Sequence, residues 1–153
     1  MEQIQRAAWS TAIIDRIYID APVEQVWDIT IDIDRWHTWL PTVSKGKILD
    51  SGYVAVGSRF ALSQPLQATK EWVVTELFDF RIVSWETVKG RRGFAARHAM
   101  ILEGNGTRSI LEIRFTQKSW VFDWLLRMTL RSAIARENKA LKLASELLVS
   151  VAR

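Results

Sequence analysis

The feature that most constrains how this chain folds is a change of hydrophobic period just before residue 119. From Val43 to Gln117, short apolar runs are separated by turn residues, which is the pattern of strands. From Ser119 onward Phe122, Leu125, Leu126, Leu130, Ala133, Leu141 and Leu148 recur at helical spacing for about thirty residues. Neither glycine nor proline occurs there, so the spacing predicts one long terminal helix, with Ser119 placed to cap it. A sheet with one apolar face, followed by such a helix, has a partner for that face.

Upstream, Thr11 to Ile19 alternates loosely and is rich in isoleucine, as a first strand would be. Asp20, Ala21 and Pro22 then read as a helix start, with a capping carboxylate and a proline in the first turn. Val23, Val26, Trp27 and Thr30 share one face of that helix, and a second short helix is expected from Asp32 to Thr38, ended by Pro41. Breaks at Gly52 to Gly57, near Pro65, at Phe78 to Arg81, at Gly90 to Gly93 and at Gly104-Asn105-Gly106 divide the next stretch into six strands of an antiparallel meander. The Asn-Gly pair is expected to supply the positive φ angles of a tight hairpin. The fold class is therefore α+β, with residues 1–153 forming one domain whose core spans about 11–148.

Eight tryptophans are more indole than a compact core of 153 residues requires, which points to an internal pocket. The absence of cysteine excludes disulfides, thiolate metal sites and a cysteine nucleophile. Two histidines without a clustered acidic pair predict no metal, and no phosphate-binding glycine loop or nucleophile turn predicts a nucleotide or other cofactor. The first residues lack the apolar run of a secretory signal and no later run reaches the ~20 residues of a membrane span, so a cytoplasmic protein is expected. A net charge of +4 favours anionic neighbours.

Strand parity selects candidate interior residues. Phe60 and Leu62 point inward in SRFALS, Val83 and Trp85 in RIVSWE, and Leu111, Ile113 and Phe115 in SILEIRF, with Arg59, Glu112 and Arg114 outward. In GFAARHAMILEG the inward set is Phe94, Ala96, His98, Met100 and Leu102. Both parities of EWVVTEL carry apolar residues, which leaves the inward face of Lys70 to Leu77, and so Trp72, unassigned. His98 is read either as a hydrogen-bonded interior histidine or as a general acid or base, whereas His37, beside Arg35 and Thr38, is expected in solvent.

Arg91 and Arg92 share a hairpin tip and Arg127 and Arg131 stand four apart on the helix, but a single-strand binder needs exposed aromatics beside its charges, so no nucleic acid is expected. The segment KSWVFDWLLRMTLR mixes Trp120, Phe122, Trp124, Leu125 and Leu126 with Lys118, Arg127 and Arg131. That mixture suits transient membrane-surface contact through Trp120 to Arg131, or else the packed face of a helix closing a cavity.

The order of elements and three short motifs carry a family resemblance: Ala21, Pro22, Val26 and Trp27 at the helix start; Trp36, Trp39, Leu40, Pro41 and Val43; and the strand start at Gly106 and Thr107. With them the chain resembles the START-like, helix-grip (SRPBCC) superfamily, and within it the bacterial polyketide cyclase/dehydrase-type proteins. The resemblance implies a curved seven-stranded antiparallel sheet, two short helices after the first strand, a long terminal helix and a hydrophobic cavity between them. It also implies a lipid, polyketide or aromatic ligand held for transport, sequestration or sensing, or else cyclised and dehydrated without a cofactor. In that setting the ligand-binding candidates are Trp39, Phe60, Leu62, Trp85, Phe94, His98, Met100, Phe115 and Leu125, with His98 the candidate catalyst.

Overall fold

Alternating apolar and polar side chains give seven strands, each with a hydrogen-bonding neighbour in one sheet. The structure is a computed structural model and describes residues 9–50, 52–90 and 92–152, so residues 1–8, Ser51, Arg91 and Arg153 lie outside it. Strand β1 (Ile13–Ile19) leads to α1 (Val23–Ile31) and a 3₁₀ helix (Ile33–Thr38). Then come β2 (Lys45–Ile48), β3 (Arg59–Ser63), β4 (Lys70–Phe78), β5 (Ile82–Thr87), β6 (Phe94–Glu103) and β7 (Gly106–Phe115), before the terminal helix α2 (Trp120–Ala152). The order across the sheet is β1-β7-β6-β5-β4-β3-β2, every pair antiparallel, so β2 to β7 form a meander and β1 is added beside its last strand, leaving β1 and β2 as the two edges. This is the α+β helix-grip arrangement expected from the sequence.

Three local expectations are corrected. Pro22 is itself the N-cap of α1 with no side-chain cap bond, while the Asp20 backbone N–H donates to Glu146 Oε1 at 3.0 Å, tying the helix start to the far end of α2. In the β6–β7 hairpin the positive φ, 59°, falls on Gly104, the first of the two loop residues, where a two-residue hairpin with glycine first requires it. Gly106 is needed for space, because a Cβ there would collide with the Tyr18 hydroxyl and the Ile19 carbonyl oxygen. Leu102, assigned inward by parity, is 68% exposed because β6 runs past the end of the packed layer.

A β-bulge in β4, where the register to β5 slips between Val74 and Glu76, explains why its parity was unreadable. Trp72 and Val74 are buried before the bulge and Leu77 packs on the core after it, so the inward set changes parity within one strand.

Helix α2 is fixed to the sheet by a buried polar clamp. Asn138 is fully buried; its Nδ2 donates to Asp15 Oδ2 at 2.8 Å and its Oδ1 accepts from Ser109 Oγ at 2.7 Å. At the helix start Asp123 is the anchor, accepting from the Lys118 N–H at 3.0 Å and from Arg92 Nη1 at 2.7 Å, while Ser119 meets it through its backbone carbonyl.

Candidate functional site

Between the concave sheet face and α2 lies a partly enclosed cavity of about 230 Å³. The sheet contributes Leu62, Lys70, Trp72, Trp85, Phe94, Ala96, His98, Leu111 and Ile113, and the short-helix junction contributes Trp36, Leu40, Thr42 and Val43. Helix α2 adds Leu126, Thr129, Leu130, Ala133, Ile134 and Glu137, one face repeating every three or four residues. Exposed Gln67 and Thr129 mark where the cavity meets solvent.

Four of the nine expected ligand-binding residues line this space: Leu62, Trp85, Phe94 and His98. The other five are placed elsewhere. Phe60 is fully buried behind the wall, stacked on Trp72 at 6.4 Å between ring centroids and set edge-on to Trp85 at 5.3 Å. Phe115 belongs to a second core cluster with Ile13, Leu111 and Ile134, and Met100 is buried in the main core. Leu125 is half exposed, one residue out of phase with cavity-lining Leu126. Trp39 is corrected too: it lines an outer groove between α1 and the end of α2, and Trp36 takes the cavity position. Trp36 is held there by donating its Nε1 proton to the Thr30 carbonyl at 3.0 Å.

The residue that sequence reading missed is Glu137. It follows Leu126, Leu130 and Ile134 on the inward face of α2, and a carboxylate at that period among apolar neighbours was the available signal. His98 Nε2 lies 3.4 Å from Glu137 Oε1, and the imidazole packs against Trp85 with centroids 4.8 Å apart. Burial pushes His98 down to about 3 and Glu137 up to about 7, because the low-dielectric wall disfavours the charged form of each. Near neutrality the imidazole is therefore uncharged and the carboxyl is at its titration point.

The imidazole nitrogen and the carboxyl oxygen are close enough to exchange a proton, and the ring tautomer that faces Glu137 decides whether Nδ1 donates or accepts. Among the described residues, His98 Nδ1 is buried with no hydrogen-bond partner, as is Trp72 Nε1 in the same wall. Closer to solvent, the Lys70 ammonium sits 4.6 Å above the Phe94 ring, and burial holds its pKa below the usual lysine value. His37 is exposed, as expected. Among the described residues no three His, Cys, Asp or Glu side chains gather as metal ligands, and no helix is long and apolar enough to cross a membrane.

A curved antiparallel sheet gripping a long terminal helix defines a START-like domain, and the comparisons agree. Residues 11–146 match the family described as polyketide cyclase / dehydrase and lipid transport, and the chain belongs to that family. A START superfamily protein from Mycobacterium smegmatis superposes with a TM-score of 0.77 at 16% identity, covering 90% of this chain and 98% of the other. The Zhui aromatase/cyclase from Streptomyces sp. R1128 gives 0.75 at 15% identity, over 93% and 96%. The di-domain aromatase/cyclase StfQ of the steffimycin biosynthetic pathway gives 0.77 at 15% identity, over 95% of this chain and 53% of the other. At these identities the likeness is one of fold. No curated protein matches the chain.

Proposed function

We propose that the protein binds a small, largely apolar molecule carrying an oxygen function in the cavity between the sheet and α2, for transport, sequestration or sensing. The observation that carries this reading is the unpartnered His98 Nδ1 in a wall of Trp36, Trp72, Trp85 and Phe94. A buried polar atom without a partner costs about 1–3 kcal/mol, which a ligand carbonyl or hydroxyl would recover. The volume, about 230 Å³, lies below the roughly 300–1,000 Å³ of drug-sized pockets and favours a compact ligand over a long-chain lipid. Lys70 and Gln67 near the opening suit a polar or anionic end. The test is titration with anilinonaphthalene sulfonate, followed by probe emission and by quenching of tryptophan. One saturable site weakened by Trp85→Ala supports the reading, and non-saturating uptake unaffected by that change overturns it.

A second reading is favoured by the 3.4 Å His98–Glu137 pair. A neutral imidazole and a carboxyl titrating near pH 7 put a base and an acid on opposite walls of the cavity. In a polyketide-like substrate one would take the proton α to a carbonyl while the other delivered a proton to the departing hydroxyl, which leaves as water. No cofactor enters this chemistry, and the cavity would contribute by holding the chain near its reactive conformation.

A further inference from the structure

The first turns of α2 carry an exposed apolar surface that the cavity does not use. Trp120 is 85% exposed, Phe122 66% and Trp124 60%, with Val121, Leu125 and Met128 also exposed. The inward face of these same turns is already occupied by Leu126 and Leu130, which line the cavity, so the exposed residues are not the face that packs on the sheet. Contiguous apolar surface of this kind marks an interaction site.

The charges around it select the partner. Between Lys118 and Arg136 the basic residues are Lys118, Arg127, Arg131 and Arg136, and the one acid is Asp123. That acid is neutralised by Arg92 at 2.7 Å, which holds its carboxyl below the usual carboxylate range. Arg127 spends hydrogen bonds on the Thr11 and Ala12 carbonyls, at 3.2 and 3.4 Å, but keeps its charge, and Lys118, Arg131 and Arg136 are exposed. The patch is therefore apolar and cationic. A second copy seated on it by two-fold symmetry would set these like charges against one another. A bilayer bearing anionic headgroups meets both requirements, since indole rings settle at the headgroup level and arginine and lysine pair with phosphate.

We infer that Trp120 to Arg131 docks the protein on an anionic lipid surface, with Trp120, Trp124 and Met128 entering the interface and Lys118 and Arg131 contacting headgroups. This inference does not rest on what occupies the cavity. The test is cosedimentation of the full chain with vesicles of phosphatidylcholine and phosphatidylglycerol, with phosphatidylcholine alone as the comparison. Binding is expected to the mixed vesicles at low salt and to fall as salt rises, because the charge component is screened within about 8 Å at physiological ionic strength. Trp120→Ala with Trp124→Ala should lower the partition coefficient at least about tenfold, since binding scales with buried apolar area, without moving the melting temperature. Should that variant fail to fold, Lys118→Gln with Arg131→Gln tests the charge component and should weaken binding to the mixed vesicles only. Wild type that stays in the supernatant at low salt overturns the inference, as does a folded tryptophan variant that sediments like wild type. So does a dimer in sedimentation velocity that the tryptophan variant dissolves while vesicles bind nothing.

Discussion

His98 Nε2 on β6 and Glu137 Oε1 on α2 stand 3.4 Å apart, one from each of the two layers that enclose the cavity. The contact forms only once α2 has docked in register, so the acid–base pair reports on the fold as well as on the site.

The first prediction concerns pH. Glu137 has a folded pKa of about 7 against an ordinary 4.5, so its contribution to stability is fully present below pH 4.5 and is lost as pH rises through 7. His98 falls to about 3 from 6.5, so its contribution is present above pH 6.5 and is lost as pH falls toward 3. Between 4.5 and 6.5 the two slopes oppose each other. Glu137→Gln removes one of them. Relative to wild type it should gain stability as pH rises from 4.5 to above 7, by up to about 3 kcal/mol at about 1.36 kcal/mol per pKa unit. Urea unfolding of both proteins across that range checks it, and a difference that does not vary with pH would exclude the raised pKa.

The same pair distinguishes a binder from an enzyme. If His98 only donates or accepts a ligand hydrogen bond, His98→Gln should weaken binding by about 0.5–1.5 kcal/mol and Glu137→Gln by no more. If the pair moves protons, each change should cut turnover by roughly a hundredfold or more with binding nearly intact, and the double variant should be little worse than either single one. Calorimetric affinities beside single-turnover rates separate the two cases.

The buried clamp predicts a loss of stability that reaches the site. Asn138 bonds Asp15 and Ser109 from a fully buried position, and Asn138→Ala leaves the buried Ser109 hydroxyl without its partner, while half-buried Asp15 keeps access to solvent. The orphaned hydroxyl costs about 1–3 kcal/mol, and a loss of that size is expected. Because α2 carries Glu137 next to this residue, the variant should also disturb the His98–Glu137 contact, visible as a shift of the His98 imidazole resonances.

How much of this was legible in the sequence follows from which physical signals are local. The change of period at Ser119, the turn residues between the apolar runs and the alternation of Thr11 to Ile19 mark the strands and the terminal helix, because burial of one face repeats with the geometry of the element. Parity found Leu62, Trp85, Phe94 and His98, but it separates inside from outside and not core from cavity. Phe60, Met100 and Phe115 are inside and solidly packed. The bulge at Thr75 reverses parity without leaving a mark in the residue types, and that hid Trp72. The inward period of α2 marks Glu137, but its pairing with His98 is not legible, because the partner lies on another element 39 positions away. Leu125 is one residue out of phase with cavity-lining Leu126, about 100° around a helix with about 3.6 residues per turn, and so it falls outside the cavity.

The last prediction returns to two tryptophans three residues apart. Trp36 lines the cavity, donates to the Thr30 carbonyl at 3.0 Å and touches Trp85 with centroids 5.4 Å apart, whereas Trp39 faces the groove between α1 and the end of α2. Trp36→Phe keeps an aromatic ring but removes the buried donor, and should cost about 1 kcal/mol or somewhat more in stability. It should also remove much of the tryptophan quenching that accompanies binding of anilinonaphthalene sulfonate, since the lost indole is in the wall that meets the probe. Trp39→Phe should leave that quenching nearly unchanged, because its indole lies outside the cavity. Titrations of the two variants under identical conditions decide the matter. Quenching that disappears with Trp39 and persists without Trp36 would move the binding site to the outer groove beside Asp28 and Leu147.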